Sequence, residues 1–192
     1  MYAAILLAAG QSSRMGQPKG LLPWEGVPLL VYQIAQLEKS RIDHIILVLG
    51  HQPERYQALV SERTHVVWNE EWKQGKTRSI IKGLTALSPD CEAVLFVNID
   101  QPVSAGSIDR LLAAYEEEEG DIYIPVAGGT RGHPVLFSSR LLPALSAITE
   151  EGLGLKGVIR DEQNKIVSVH MSDASVLYNF NTPADYEKGR GI

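Results

Sequence analysis

Arg14, Lys19 and Asp100 are the residues of this chain whose types and setting promise chemistry. The two cations close the stretch Leu6-Leu7-Ala8-Ala9-Gly10-Gln11-Ser12-Ser13-Arg14-Met15-Gly16-Gln17-Pro18-Lys19. An apolar run beginning at Tyr2 stops there at a glycine, and small, polar and cationic residues follow. Leu7, Ala8, Ala9 and Gly10 bring the chain to that point. Ala8, Ala9 and Gly10 carry almost no side chain, so a ligand can approach their N–H groups closely. Ser12 and Ser13 add hydroxyls. Amides, hydroxyls and two fixed positive charges together suit a polyanion such as a triphosphate. Asp100 follows a second apolar run, Ala93 to Asn98. Mg²⁺ takes one or two carboxylates plus substrate phosphates and water, so a single Asp facing a triphosphate is sufficient.

Two familiar phosphate loops do not fit. A Walker A loop needs G-x-x-x-x-G-K-[ST], but Met15 stands at its second glycine and Gly20 follows Lys19. A Rossmann fingerprint needs G-x-G-x-x-G, which Gly10 and Gly16 do not satisfy. The stretch instead resembles the signature L-A-A-G-x-S-x-R-M-G-x-x-K of the nucleotidyltransferase family whose members include the enzymes that finish the molybdenum cofactor. Leu7 to Lys19 match it position for position.

A length of 192 residues predicts one domain, residues 1–192, since domains run roughly 100–200 residues. Such a chain buries about 70% of its unfolded surface, enough for a full core. A formal charge of −5 argues against nucleic acid and against an anionic membrane as partners. Positive charge for phosphates must therefore be local. Cys91 is the only cysteine, so no intrachain disulfide forms and a cytoplasmic setting is expected. The first residues lack the basic region of a secretory leader. No apolar run approaches the ~20 residues of a membrane span.

The elements that must position the three residues follow from the apolar runs. Unbroken ones over 2–8, 44–49 and 93–98 read as buried parallel strands, with another strand at 65–68. Helices are expected from Pro28 to Lys39, over 53–60, 77–87 and 141–148, and from a Ser104 cap onward. Strands are expected over 121–126, 135–137, 166–170 and 176–180. Thr182, Pro183 and Asp185 signal a final helix. Strand–helix–strand spacing calls for parallel pairing and right-handed crossovers. The fold class is α/β: a three-layer α/β/α single domain around a mostly parallel sheet, Rossmann-like. Open sheets of this kind bind ligands beyond their strands' carboxyl ends, where both Gly10 and Asp100 fall.

The resemblance extends beyond the first loop and implies further roles. The family's N-x-x-W-x-x-G…S pattern, here Asn69 to Ser79, lies over the nucleotide base and implicates Gly75 and Ser79; helix capping by Thr77 or Ser79 is the plain alternative. Asp100-Gln101-Pro102 matches the end of a G-D-Q-P metal motif, with Ile99 in place of the glycine. Gly132 to Phe137 matches G-H-P-V-L-F on the acceptor side, which implicates His133, with Arg131 beside it. Near the C-terminus relatives read D-I-D-T-P and use the second aspartate for metal; Asn181 stands there and offers a neutral oxygen. Residues 150–157 match a G-D-x-G-A-R element poorly, and acceptor identity is what this leaves open. The implied reaction moves NMP from a nucleoside triphosphate to a phosphate-bearing acceptor such as molybdopterin, with Mg²⁺, or alternatively Mn²⁺, as cofactor. L-A-A-G accompanies CTP and L-A-G-G accompanies GTP in the family, so Ala9 points to CTP. A sugar- or polyol-phosphate transferase and a nucleotide-binding module without turnover are the rival readings.

Overall fold

The computed structural model describes residues 1–190. Its centre is the strand Tyr2–Ala8 (β1), flanked in parallel by His44–Leu49 (β4) and Ala93–Asn98 (β6). Thr64–Trp68 (β5) extends the sheet beyond β4 in the same direction. Val135–Ser138 (β9) lies antiparallel to β6 and to Ile122–Ala127 (β7). Ile166–His170 (β10) closes that edge parallel to β7. The order is β10-β7-β9-β6-β1-β4-β5, with Thr130–Arg131 (β8) paired on β7. Among these seven main strands β9 alone is reversed. A small hairpin, Pro23–Trp24 (β2) and Val27–Pro28 (β3), stands apart.

Alternation along β1 builds the layers. Ala4, Leu6 and Ala8 face one core with Leu30, Ile34 and Leu37 of Leu29–Lys39 (α1) and Ile108, Leu111 and Leu112 of Ala105–Glu117 (α3). Ala3, Ile5, Leu7 and Ala9 face another, closed by Ile80 and Leu84 of Lys76–Leu84 (α2) and by Leu145 of Leu142–Ser146 (α4). Val158 of Leu155–Asp161 (α5) completes it. Both faces of the sheet are thus covered, as a strand that is apolar throughout requires. The predicted three-layer, mostly parallel single domain is what forms. No described helix is long and apolar enough to cross a membrane.

Five expectations about elements need correction. Residues 53–60 form 3₁₀ turns over Pro53–Arg55 and Gln57–Leu59, not a helix. Tyr56 between them turns inward and is 3% exposed, its ring lying where a Cβ on Gly20 would come within 2.8 Å. Helix α2 stops at Leu84 rather than 87, and residues 141–148 divide between a 3₁₀ turn and the short α4. Pro28 caps α1 and belongs to the hairpin instead of occupying the first helical position. Residues 176–180 are no strand: Ala174–Leu177 is a 3₁₀ turn followed by extended chain. This strap crosses the end of the sheet and makes isolated bonds, Val176 accepting from the His133 amide (2.8 Å) and the Phe180 amide donating to the Asp100 carbonyl (2.9 Å). It then enters Pro183–Arg190 (α6), where the Thr182 and Asp185 side chains cap reciprocally.

Candidate active site

The carboxyl ends of β1, β4 and β6 stand level because Leu7 pairs with Val48 and with Asn98. The Ile99 amide donates to the Leu7 carbonyl and the His51 amide to the Ala9 carbonyl, prolonging both ladders past the strands. A cleft of about 530 Å³ opens above them. Its walls include Leu7, Ala9, Gly10, Ser12, Arg14 and Lys19 on one side, and Gly75, Lys76 and Ser79 on another. Asp100 and Asn181 complete it.

Each of these residues is held by a nameable device. At Gly10 an added Cβ would meet nothing within 4 Å, so its backbone is open to the cleft. Ser12 takes a left-handed conformation (φ 57°), and its hydroxyl accepts from the Lys19 amide at 3.2 Å, folding the loop back on itself. Lys19 is 8% exposed, and its ammonium donates to Asp100 Oδ2 at 2.6 Å. Arg14 is exposed, and no carboxylate lies within 4 Å of it among the described residues. Its neighbour Met15 is buried in a third core with Trp24, Phe180 and Tyr186. Phe180 in turn precedes Asn181. One aromatic cluster therefore anchors both the cationic loop and the strap bearing the Asn181 amide.

That dependence makes a prediction. Phe180 is 1% exposed, with its ring centroid 5.0 Å from that of Trp24. Phe180→Ala should cost about 3–5 kcal/mol, the usual range for emptying a buried aromatic site. Denaturant unfolding measures the loss directly. A cost near zero would show that the strap is not held by this ring.

On the opposite wall, Gly75 has φ 110°, a conformation for which glycine is suited, and a Cβ there would strike the Glu150 carboxylate. Ser79 is buried, and its oxygen accepts from Asn69 Nδ2 at 2.9 Å, which leaves its own proton for a ligand. Neither Thr77 nor Ser79 caps α2. Glu150 does so from a remote loop, accepting from the Thr77 amide at 2.5 Å.

Some expected residues are placed differently. Ala8 is 3% exposed and packs with Leu30 and Ile34 on the far face of the sheet, because strand alternation turns its methyl away from the cleft. Arg131 stands exposed on the β7–β8 hairpin and does not line the cleft. His133 does not line it either, yet Lys76, Asp100 and Lys156 all act electrostatically on its ring. Desolvation first, then Lys76, push the His133 imidazole below its ordinary value.

Three contributors had little or no signal in the sequence. Gln33 is fully buried on α1 and spends its amide on the loop of Asp100. It donates to the carbonyls of Asn98 (3.1 Å) and Gln101 (2.9 Å) and accepts from the Val103 amide (3.3 Å). Glu150 had no recognisable role before its contact with Thr77. Lys76 was visible only as one more cation after Gly75. More than a third of its surface is open, but desolvation still pushes its ammonium down, with Lys156 and Lys19 adding to the fall and Asp100 opposing it.

A divalent cation fits this donor set. Asp100 and Asn181 offer hard oxygens from two different segments of the cleft wall, and among the described residues no group of three or more His, Cys, Asp or Glu is placed to hold a metal ion. One carboxylate suits a metal that brings much of its coordination with it as phosphate and water.

An open α/β sheet that gathers a small-residue loop, two cations and one carboxylate at its strand ends has them where folds of this class bind their ligands. The comparisons make this specific. The model of the MobA-like NTP transferase domain matches residues 4–167, and the chain belongs to that family. It is a nucleotidyltransferase. It is 28% identical to a molybdenum cofactor guanylyltransferase from Xanthomonas euvesicatoria over 97% of this chain and 93% of that one. To the molybdenum cofactor cytidylyltransferase of Escherichia coli it is 26% identical, over 95% and 92%. The fold superposes on Rv0371c from Mycobacterium tuberculosis with a TM-score of 0.87 at 23% identity, covering 100% and 98% of the two chains. That mycobacterial protein has also been crystallised with manganese.

Proposed function

We propose that the protein transfers CMP from CTP to a phosphate-bearing acceptor, molybdopterin carrying molybdenum being the best candidate, and releases pyrophosphate. The observation that carries this reading is the Lys19–Asp100 pair, 2.6 Å apart on the cleft wall beside the open backbone of Gly10. A polyanion with an accompanying cation can engage such a pair from both sides, the phosphates at the ammonium and the cation at the carboxylate. In this reading Arg14 and Lys19 hold the phosphates, while the Gly10 backbone and the Ser12 turn shape their bed. Gly75 and Ser79 face the nucleoside. Asp100 and Asn181 hold Mg²⁺, which when bound offsets phosphate charge. An acceptor phosphate oxygen attacks the α-phosphorus in line and pyrophosphate departs. No general base is needed, because a phosphate nucleophile is already ionised. Catalysis consists of positioning and of stabilising the charge that develops.

Base choice is the finer point. Ala9 lines the cleft, and its methyl packs at the cleft floor so close to Gly50 that a Cβ on Gly50 would lie 2.9 Å from it. That methyl should hold a purine shallower than a pyrimidine. A one-methyl difference discriminates by about 10–200-fold, so CTP is expected to bind more tightly than GTP by that factor. Calorimetry with both Mg–nucleotides decides it, and equal or tighter GTP binding overturns the choice of base. Pyrophosphate release is then followed with molybdopterin and, separately, with sugar and polyol phosphates. Release with none of them would reduce the protein to a nucleotide binder.

A further inference from the structure

Glu150 does not line the cleft, yet what it holds belongs to the cleft's nucleoside wall. Helix α2 begins without a cap of its own: Gly75 in the cap position has no side chain, and no local side chain replaces it. The Glu150 carboxylate takes that role across 73 residues, accepting from the Thr77 amide at 2.5 Å. A negative group at a helix N-terminus also suits the helix dipole. The same carboxylate fills the space beside Gly75 (φ 110°) that a Cβ would need. One side chain therefore sets both the glycine turn and the first turn of the helix. Gly75, Lys76 and Ser79, the residues it steadies, all line the cleft.

The loop that presents Glu150 is itself closely held. Thr149 accepts from the Gly154 amide through its carbonyl and from the Gly152 amide through its hydroxyl, both at 3.0 Å. The Leu153 amide closes back on the Glu150 carbonyl, also at 3.0 Å. Leu153 takes φ 66°, a conformation that persists in such a residue only where the surroundings impose it. Ile148, just before the loop, is buried in the core that Ile80 and Leu84 of α2 help to close. At the far end of the loop a Cβ on Gly154 would lie 3.3 Å from Thr77 Oγ1. The carboxylate thus reaches α2 from a fixed support.

We propose that Glu150 is a positioning residue for the nucleotide: by holding Gly75 and the first turn of α2 it keeps the nucleoside wall in its binding conformation before the nucleotide arrives. Its link to a nucleotide rests on the nucleotidyl-transfer reading; its ordering of the wall does not. A protein whose competent conformation is only partly populated binds more weakly by that fraction. Loss of a typical or strong helix cap shifts such an equilibrium by about 5–30-fold. The effect falls on affinity and spares the chemical step, because Lys19 and Asp100 are fixed by bonds of their own.

The test compares the full wild-type chain with Glu150→Ala, Glu150→Gln, Gly75→Ala and the double variant Gly75→Ala/Glu150→Ala. Hydrogen exchange in the nucleotide-free protein reads the wall itself: Glu150→Ala should lower protection of the amides of residues 77–79 by about 5–30-fold, while β1 and β6 keep theirs. Calorimetry with Mg–CTP and Mg–GTP should show Kd raised by a similar factor, with kcat at saturating nucleotide within about threefold of wild type. Glu150→Gln keeps an acceptor oxygen in place and should recover most of the affinity. Gly75→Ala adds a methyl that meets the carboxylate, so it should harm affinity less in the Glu150→Ala background than alone; the strain at φ 110° is common to both and cancels. Altered exchange with unchanged Kd would make Glu150 a cap for stability only and overturns the proposal. Unchanged exchange, or a loss in kcat without a change in Kd, overturns it too. Failure of the wild type to bind either Mg–nucleotide defeats the nucleotidyl-transfer reading instead, and exchange alone then decides whether Glu150 orders the wall.

Discussion

Lys19→Ala is expected to lower turnover by about 10²–10³-fold, the scale for removing one preorganised group that stabilises developing charge. The geometry supports a large effect, because this ammonium is 8% exposed and fixed on Asp100 at 2.6 Å. Its backbone is fixed too, by the Ser12 hydroxyl on one side and by Gly20 packed on Tyr56 on the other. Lys19→Arg should not restore the rate. A planar fork cannot occupy the place of a compact ammonium, least of all where the wall is already in contact. The measurement is kcat at saturating nucleotide with circular dichroism as a check on folding. Near-normal kcat in a folded Lys19→Ala protein would mean that Lys19 merely neutralises Asp100, and the reacting phosphates would have to lie elsewhere.

Asp100→Asn should abolish metal-dependent nucleotide binding altogether. Asp100 is the proposed metal site's only carboxylate, and Asn181 brings no charge to compensate. In the nucleotide-free protein Lys19 already holds Oδ2 of Asp100. Metal and ammonium compete for one carboxylate, so the wild type should bind Mg²⁺ weakly until a triphosphate draws Lys19 toward itself. Asn181→Asp should reverse this by supplying a second carboxylate that Lys19 does not occupy. Without metal the added charge repels Asp100 and should lower the melting temperature; with Mg²⁺ the loss should be recovered. Thermal melts with and without Mg²⁺, and then with Mg–CTP, separate the variants. A ligand at 100 times its Kd stabilises by about 2.7 kcal/mol, so the presence or absence of the shift is easily read. A metal-independent melt for Asn181→Asp, together with unimpaired Mg–CTP binding by Asp100→Asn, would place the metal away from these residues.

These two experiments probe parts of the protein with different legibility. The sequence by itself determined the strands and what lies at their ends. An apolar run that stops at Gly10, and another that delivers Asp100, are local patterns set by burial on both faces of a parallel sheet. The Ser104 and Thr182 caps were equally local, because a cap is a contact between residues three apart. Alternation was readable in principle as well: it turns Ala8 away from the cleft and Leu7 and Ala9 toward its side, although small side chains concealed that difference.

Tertiary structure decided which of the distant residues meet, because periodicity carries no information about partners far apart in the chain. Lys19 and Asp100 are 81 residues apart, and their pairing follows from β1 lying beside β6. Glu150 caps α2 across 73 residues, in place of the local Thr77 or Ser79. Gln33 secures the Asp100 loop across 65 to 70 residues with no motif to announce it. The apolar residues at 176–180 resembled a strand, since burial alone gives the same pattern. Their ring and side-chain burial comes instead from an aromatic cluster beneath a strap, and only that path carries Asn181 to the wall of the cleft.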